Sequence, residues 1–250
     1  MSNDEIKIHR GLNNVYFDRT KTTYINGKQG ILEYRGYNIH DLAEKSSFEE
    51  VSFLLLYGKL PTMNELESFN RSLIESRKIP SEIIDIIRSI KDSHPMDVLR
   101  TSVSALSAFD KEAHDKSYDA TMRKGIRLTS QVPTIVMTHN AIRNGKEPIE
   151  PSKELSHAAN FIYMLDGKMP SDSTTKLMDK DFIVHADHGS NASAFAARVC
   201  AATQADLHSA ITTGISVLSG PSHGGAAENV MKMVKEVGSP ENAKDYVKKV

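Results

Sequence analysis

Leu218-Ser-Gly-Pro-Ser-His-Gly-Gly-Ala-Ala-Glu-Asn229 combines turn chemistry, a helix start and a titratable side chain in one stretch. Gly220 and Pro221 stop the apolar helical run before them, because proline has no N–H and biases the preceding residue away from helical dihedrals. Ser222 has the chemistry of an N-cap, and Ala226, Ala227, Val230, Met231, Met233 and Val234 resume helical spacing, which predicts His223 in the first turn of a new helix. Free backbone N–H groups and the positive dipole end at such a position disfavour imidazolium. The expected state is a neutral imidazole that donates a hydrogen bond, a form able to polarise a carbonyl. Gly224 and Gly225 remove side chains beside it, so a ligand can approach the backbone closely. Read as ordinary structure, the same residues are a tight turn with a capped surface histidine, and the segment alone leaves both readings open.

Outward from this helix–break–helix unit the same periodicity persists. Helices are expected at Asp97–Phe109, Thr121–Arg143, Lys153–Leu165, Ser173–Val184, Ala192–Ala202 and Ala205–Leu218, joined by polar segments with Gly or Pro. Pro133 lies inside the second of these and should kink it rather than end it, since Ile135, Val136 and Ala141 continue the pattern. Ala210, Gly214 and Ser216 in the last one allow close helix–helix approach. Closer to the N-terminus, Ser47-Phe-Glu-Glu50 and Thr62-Met-Asn-Glu65 have capping-box spacing ahead of apolar periodic runs. Pro80-Ser81 opens a helix burying Ile83, Ile84, Ile86, Ile87 and Ile90, and His94-Pro95 ends it. A final helix is expected from Pro240 to Val250. Residues 11–39 read differently: Thr22-Thr-Tyr-Ile and Ile31-Leu-Glu-Tyr flank Asn26-Gly27, a hairpin signal. The fold class is all-α with a small N-terminal β-element.

Composition narrows the function. Thirty-one Lys+Arg against 32 Asp+Glu give a formal charge of −1, so nothing draws the 250-residue chain generally to nucleic acid or anionic membrane. A single cysteine, Cys200, excludes an intrachain disulfide framework, fits a reducing compartment and reads as a small buried residue of an Ala-rich helix. The polar N-terminus lacks an apolar signal region and no run reaches membrane-span length, which predicts a cytoplasmic protein.

A second constellation precedes the opening stretch: Val184-His-Ala-Asp-His-Gly-Ser-Asn-Ala-Ser193. His185, Asp187 and His188 fall at the end of one helix, and Gly189-Ser-Asn191 break it before the next. Three readings compete there: a divalent metal site shared with His223, a hydrogen-bonding site for a carboxylate substrate, and ordinary helix-end residues. His-x-Asp-His lacks the spacing of a zinc-binding helix, so no metal is expected. Most of the scattered histidines His9, His40, His94, His114, His139, His157 and His208 are expected at the surface or at helix caps.

On these segments the chain resembles a known family, the citrate synthases of the shorter prokaryotic type, which include 2-methylcitrate synthase. The resemblance runs through Gly11-Leu-Asn-Asn-Val15, Ile25-Asn-Gly-Lys-Gln-Gly-Ile-Leu-Glu-Tyr-Arg-Gly-Tyr-Asn-Ile39, Ser47-Phe-Glu-Glu-Val51, Leu56-Tyr-Gly-Lys-Leu-Pro-Thr62, His94-Pro-Met-Asp-Val-Leu-Arg100, His185-Ala-Asp-His188 and Gly220-Pro-Ser-His-Gly-Gly225. It implies a large helical domain over residues 1–221 and the start of a small domain over 222–250, with the active site between them. It implies a homodimer through antiparallel helices, here Asp97–Phe109, Thr121–Arg143 and Ala205–Leu218. The implied reaction condenses acetyl-CoA with oxaloacetate through an enol of the thioester, with no cofactor and no metal. His223 then hydrogen-bonds the thioester carbonyl, His188 binds oxaloacetate with Asn191 in the same segment, and Ser193 orients the catalytic imidazole.

The family's Gly-His-Arg loop, its proton-abstracting aspartate and its carboxylate-binding arginines have no match before Val250. The sequence therefore reads as the N-terminal portion of such an enzyme. It is expected to be inactive and prone to association by itself until a second chain supplies the missing helices. The rival reading is a non-catalytic helical protein of the same fold that serves dimerisation or ligand sensing.

Overall fold

The computed structural model describes residue 15 and residues 18–249. Residues 11–14 of the first motif, together with His9 and Val250, lie outside them. The β-element is an antiparallel sheet of β1 (Thr23–Asn26), β2 (Ile31–Tyr34) and β3 (Tyr37–Asn38), in that order. Thr23 pairs with Tyr34 and Asn26 with Ile31 across the first ladder. Asn26 closes the turn by accepting the Gln29 N–H on its side chain at 3.2 Å.

Helices form the rest: α1 (Ile39–Lys45), α2 (Phe48–Tyr57), α3 (Met63–Glu75), α4 (Ser81–Ser89), α5 (Pro95–Leu106), α6 (Tyr118–Arg143), α7 (His157–Asp166), α8 (Asp172–His185), α9 (Ala192–Ala202), α10 (Leu207–Leu218), α11 (Gly225–Val237) and α12 (Ala243–Val247). Both expected capping boxes are present, Ser47 with Glu50 on α2 and Thr62 with Glu65 on α3. Each satisfies two otherwise free N–H groups and contributes about 1 kcal/mol. Gly58 ends α2 at φ 83, a left-handed position that glycine reaches without steric cost. Pro133 sits inside α6, which runs on to Arg143.

The isoleucines of α4 show why that helix packs. Ile83 and Ile87 are fully buried in a cluster with Val98, Val103, Leu128, Ile135 and Ile215, which joins α4, α5, α6 and α10. Full burial of each such side chain stabilises by about 1.5–3 kcal/mol. Tyr34, Ile39, Leu42, Val51, Leu54 and Ile183 form a second cluster that seats the sheet on α1, α2 and α8.

Several expectations are corrected. The helix expected from Lys153 begins only at His157. Arg77 takes the Ser152 and Leu155 carbonyls at 2.7 and 2.8 Å, and Ser156 caps the helix instead. The final helix is a 3-10 turn, Pro240–Asn242, followed by α12. His94 does not end α4, which stops at Ser89, but caps α5 through its own side chain. His139, His157 and His208 are buried rather than at the surface. His139 donates to the Lys91 carbonyl, and burial, with Arg77 adding to it, lowers the His157 imidazole to about 4. Cys200 is half-buried.

Asp179 on α8 accepts the Phe48 N–H at 3.1 Å, adding a cap to α2 from across the core. Burial pushes its carboxyl up from 3.8 to about 6, the nearby Glu49 and Glu50 charges add to this, and the Phe48 bond opposes it. Because the folded value lies above the unfolded one, the native state binds more protons between them, so stability falls as pH rises through that window. Asp179→Asn keeps the acceptor and removes the charge. It should raise the Tm at about pH 7.5, with the gain gone at about pH 4; scanning calorimetry of both proteins at the two pH values tests this, and a pH-independent difference would refute it.

Candidate active site

Asn191 ends the loop after α8 by accepting the Ala194 N–H at 2.9 Å, which makes it the N-cap of α9 and places Ser193 in the first turn. α10, capped by Asp206 through the Ser209 N–H, lies against α9. Small residues permit that approach: a Cβ at Gly214 would stand 3.6 Å from the Ser193 carbonyl oxygen and 3.7 Å from Ala197 Cβ. The chain then leaves α10 at Leu218 and folds sharply back.

That turn corrects the expectation for His223. α11 starts at Gly225, so His223 precedes the helix, and Ser222 is exposed and caps nothing. The N–H groups of His223 and Gly225 both go to the Gly220 carbonyl, at 3.0 and 3.2 Å, and that of Gly224 goes to Leu218 at 3.0 Å. They are spent on the turn rather than free for a ligand. The glycine pair also serves the chain itself: a Cβ on Gly224 would overlap the Leu218 carbonyl oxygen and come within 2.8 Å of Leu218 Cδ1.

What the turn achieves is proximity. Ser193 Oγ lies 2.8 Å from His223 Nε2. A serine hydroxyl that donates to Nε2 fixes the imidazole proton on Nδ1, leaving an N–H donor on the other side of the ring. α11 is tied down beside it: His94 Nδ1 accepts the Met96 N–H, so its Nε2 carries the proton and donates to Glu228 at 3.2 Å. Lys232 and then His94 hold the Glu228 carboxyl below its usual range.

The upstream constellation divides. His185 Nδ1 donates to the Asp181 carbonyl at 2.8 Å on the last turn of α8. Asp187 is half-buried and accepts the Thr23 hydroxyl. Burial holds its carboxyl above the usual range, opposed by hydrogen bonds from the Thr22 side chain and the N–H groups of His188 and Gly189. His188 stands exposed on the loop, without a side-chain hydrogen bond among the described residues. No group of three or more His, Cys, Asp or Glu side chains among the described residues is arranged to hold a metal ion. The structure thus joins Ser193 to His223, employs the Asn191 side chain as a cap, and leaves His188 open to solvent. Sequence reading missed His94, Glu228, Thr23 and Tyr34 as supports of these segments, because each acts across a long sequence separation that no local pattern encodes.

Comparison with known proteins finds relatives over most of the chain. The family model described as "Citrate synthase, C-terminal domain" matches residues 11–250. Citrate synthase 2 of Bacillus subtilis is 45% identical over 219 residues, covering 87% of this chain and 59% of that protein. The crystal structure of citrate synthase from Pyrobaculum aerophilum superposes with a TM-score of 0.89 at 39% identity, over 95% of this chain and 61% of that one. The Thermoplasma acidophilum enzyme, solved as a ternary complex with carboxymethyl coenzyme A and oxaloacetate, gives a TM-score of 0.89 at 28% identity, over 96% and 63%. The chain spans about three-fifths of the length of the relatives it matches.

Gly224→Ala should lower stability by about 1–3 kcal/mol, the usual cost of overpacking, because the new Cβ meets backbone that cannot rotate away. Gly125→Ala, inside α6 with open space at its Cβ position, should instead be neutral or stabilising by up to about 1 kcal/mol. Equal melting temperatures for the two variants would mean that the turn is not close-packed in solution.

Proposed function

The chain belongs to the citrate synthase family, and on that premise we propose that it takes part in the condensation of acetyl-CoA with oxaloacetate to citrate and CoA. The observation that carries this reading is the 2.8 Å contact between Ser193 and His223. In the reaction a C–H bond of the thioester methyl breaks, its proton passes to a base, and the electron pair moves toward the thioester oxygen. His223, oriented through Nε2 by Ser193, presents Nδ1–H to that oxygen and stabilises the charge that develops there. A preorganised donor of this kind acts on the transition state more than on the ground state. The enol carbon then attacks the ketone carbon of oxaloacetate: the C–C bond forms as the ketone π pair moves to its oxygen, which takes up a proton, and as the enol oxygen gives up its own to re-form the thioester carbonyl; water then cleaves that thioester to release CoA. His188, exposed on the loop before α9, contacts oxaloacetate, with Asn191 in the same segment. Residues 1–221 and 222–250 make up the large domain and the start of the small one, so the Ser193–His223 bond bridges them.

Thiol release from acetyl-CoA in the presence of oxaloacetate, measured on the full-length gene product, tests these roles. His223→Ala should lower turnover by at least about a hundredfold with an unchanged Tm, the scale for losing an oxyanion-type donor. His188→Ala should raise the oxaloacetate KM. Near-normal turnover in the His223 variant would sink the assignment.

We infer in addition that the protein pairs as a homodimer through α5, α6 and α10, which share one core cluster through Val98, Leu128, Ile135 and Ile215. Light scattering of the full-length product should give twice the chain mass; a monomer at assay concentration would refute the pairing.

A further inference from the structure

Tyr34 is fully buried at the end of β2, yet its hydroxyl is bonded twice to the segment that leads into His188. It donates to the Val184 carbonyl at 3.3 Å and accepts the Asp187 N–H at 3.2 Å. Directly across the ladder, Thr23 donates its hydroxyl to the Asp187 carboxylate. Gly189 takes φ 64, turning the chain out of α8, and a Cβ there would lie 3.6 Å from Ile25 Cδ1 on β1. One end of the sheet therefore grips residues 184–189 by ring packing and by bonds to backbone and carboxylate, and leaves the His188 side chain untouched.

The physical weight of these bonds follows from their surroundings. A backbone N–H or C=O left unpaired in a partly buried place costs about as much as a lost hydrogen bond. With the Tyr34 hydroxyl removed, the Asp187 N–H loses its acceptor and the Val184 carbonyl loses a donor, while the ring continues to fill the core. A sheet of such short strands is weak as an independent structure. Its effect is felt in the loop it holds.

We propose that the small sheet is the positioning element for His188, with Tyr34, Thr23 and Asp187 as positioning residues that hold the 186–189 backbone in the conformation in which the imidazole meets the 2-oxo dicarboxylate. The inference deepens the role given to His188 above and rests on it. Released from the sheet, the loop samples other conformations, and substrate binding must first re-order it. That ordering cost enters affinity. It does not enter the chemical step, because none of the three residues touches the reacting atoms.

Tyr34→Phe and Thr23→Val, both shape-preserving, test this in the full-length product. Each should raise the oxaloacetate KM about tenfold, equivalent to one net hydrogen bond. Turnover should stay within about twofold and the acetyl-CoA KM should not move. Amide exchange at Asp187, His188 and Gly189 should quicken while that at Ile83 and Ile87 in α4 stays as it was. Unchanged oxaloacetate KM and unchanged loop exchange in both variants overturn the proposal, as does a fall in turnover at constant KM. His188→Ala separates the substrate role of His188 from its positioning by the sheet. If that variant keeps the parent KM, the substrate role of His188 fails and loop exchange alone judges the positioning. If it raises KM while the Tyr34 and Thr23 variants do not, only the positioning fails.

Discussion

The hydrogen bond between Ser193 and His223 spans thirty positions of sequence, and the arrangement of α9, α10 and the turn after them is what makes that span short. α9 carries Ser193 in its first turn, and α10 returns the chain to the same end. Their separation is set by small side chains: Ala197 on one, Gly214 on the other, with Gly214 closest to the carbonyl of Ser193 itself. A 2.8 Å bond tolerates only a few tenths of an ångström of displacement before it weakens. Any residue that pushes these helices apart acts on the imidazole without touching it.

The helical body was legible because its signals are local. Capping boxes at Ser47 and Thr62, the isoleucine stripe of α4 and the Asn26-Gly27 turn each depend on residues within one or two helical turns of one another. The break at Gly220-Pro221 was equally visible. What it does to His223 was not. Spacing placed the histidine in a helix with free N–H groups, whereas the N–H groups of residues 223–225 fold back onto the carbonyls of Leu218 and Gly220. Helical periodicity cannot reveal that choice, since the turn and the helix use the same residues and differ only in which carbonyl each N–H finds. The imidazole is met instead by the Ser193 hydroxyl, a partner that pattern alone could not locate and that only the resemblance named.

Asp187 shows the same limit from the other side. Beside His185 and His188 its carboxylate looks like a ligand in search of a cation. In the fold that carboxylate accepts the Thr23 hydroxyl, and the backbone N–H of the same residue donates to the Tyr34 hydroxyl. A half-buried carboxylate paired in this way is partnered in place and holds a loop. Chemistry-bearing residues close in sequence therefore separate into one that supports and one that is presented.

The two halves of the site stand on different cores. The loop before α9 is fixed to the cluster of Tyr34, Leu54 and Ile183, while the turn that presents His223 continues from α10, which is rooted by Ile215 in the cluster of Ile83, Val98 and Ile135. Between them lies α9, every residue of which is at least partly exposed. It is held less by burial than by its contact with α10 and its cap at Asn191. In such an arrangement a cavity opened in either core shifts one half relative to the other, since close-packed clusters transmit strain rather than absorb it. Distance between His188 and His223 is then a property of both cores together, and the exposed helix joining them is the element through which the two are brought into register.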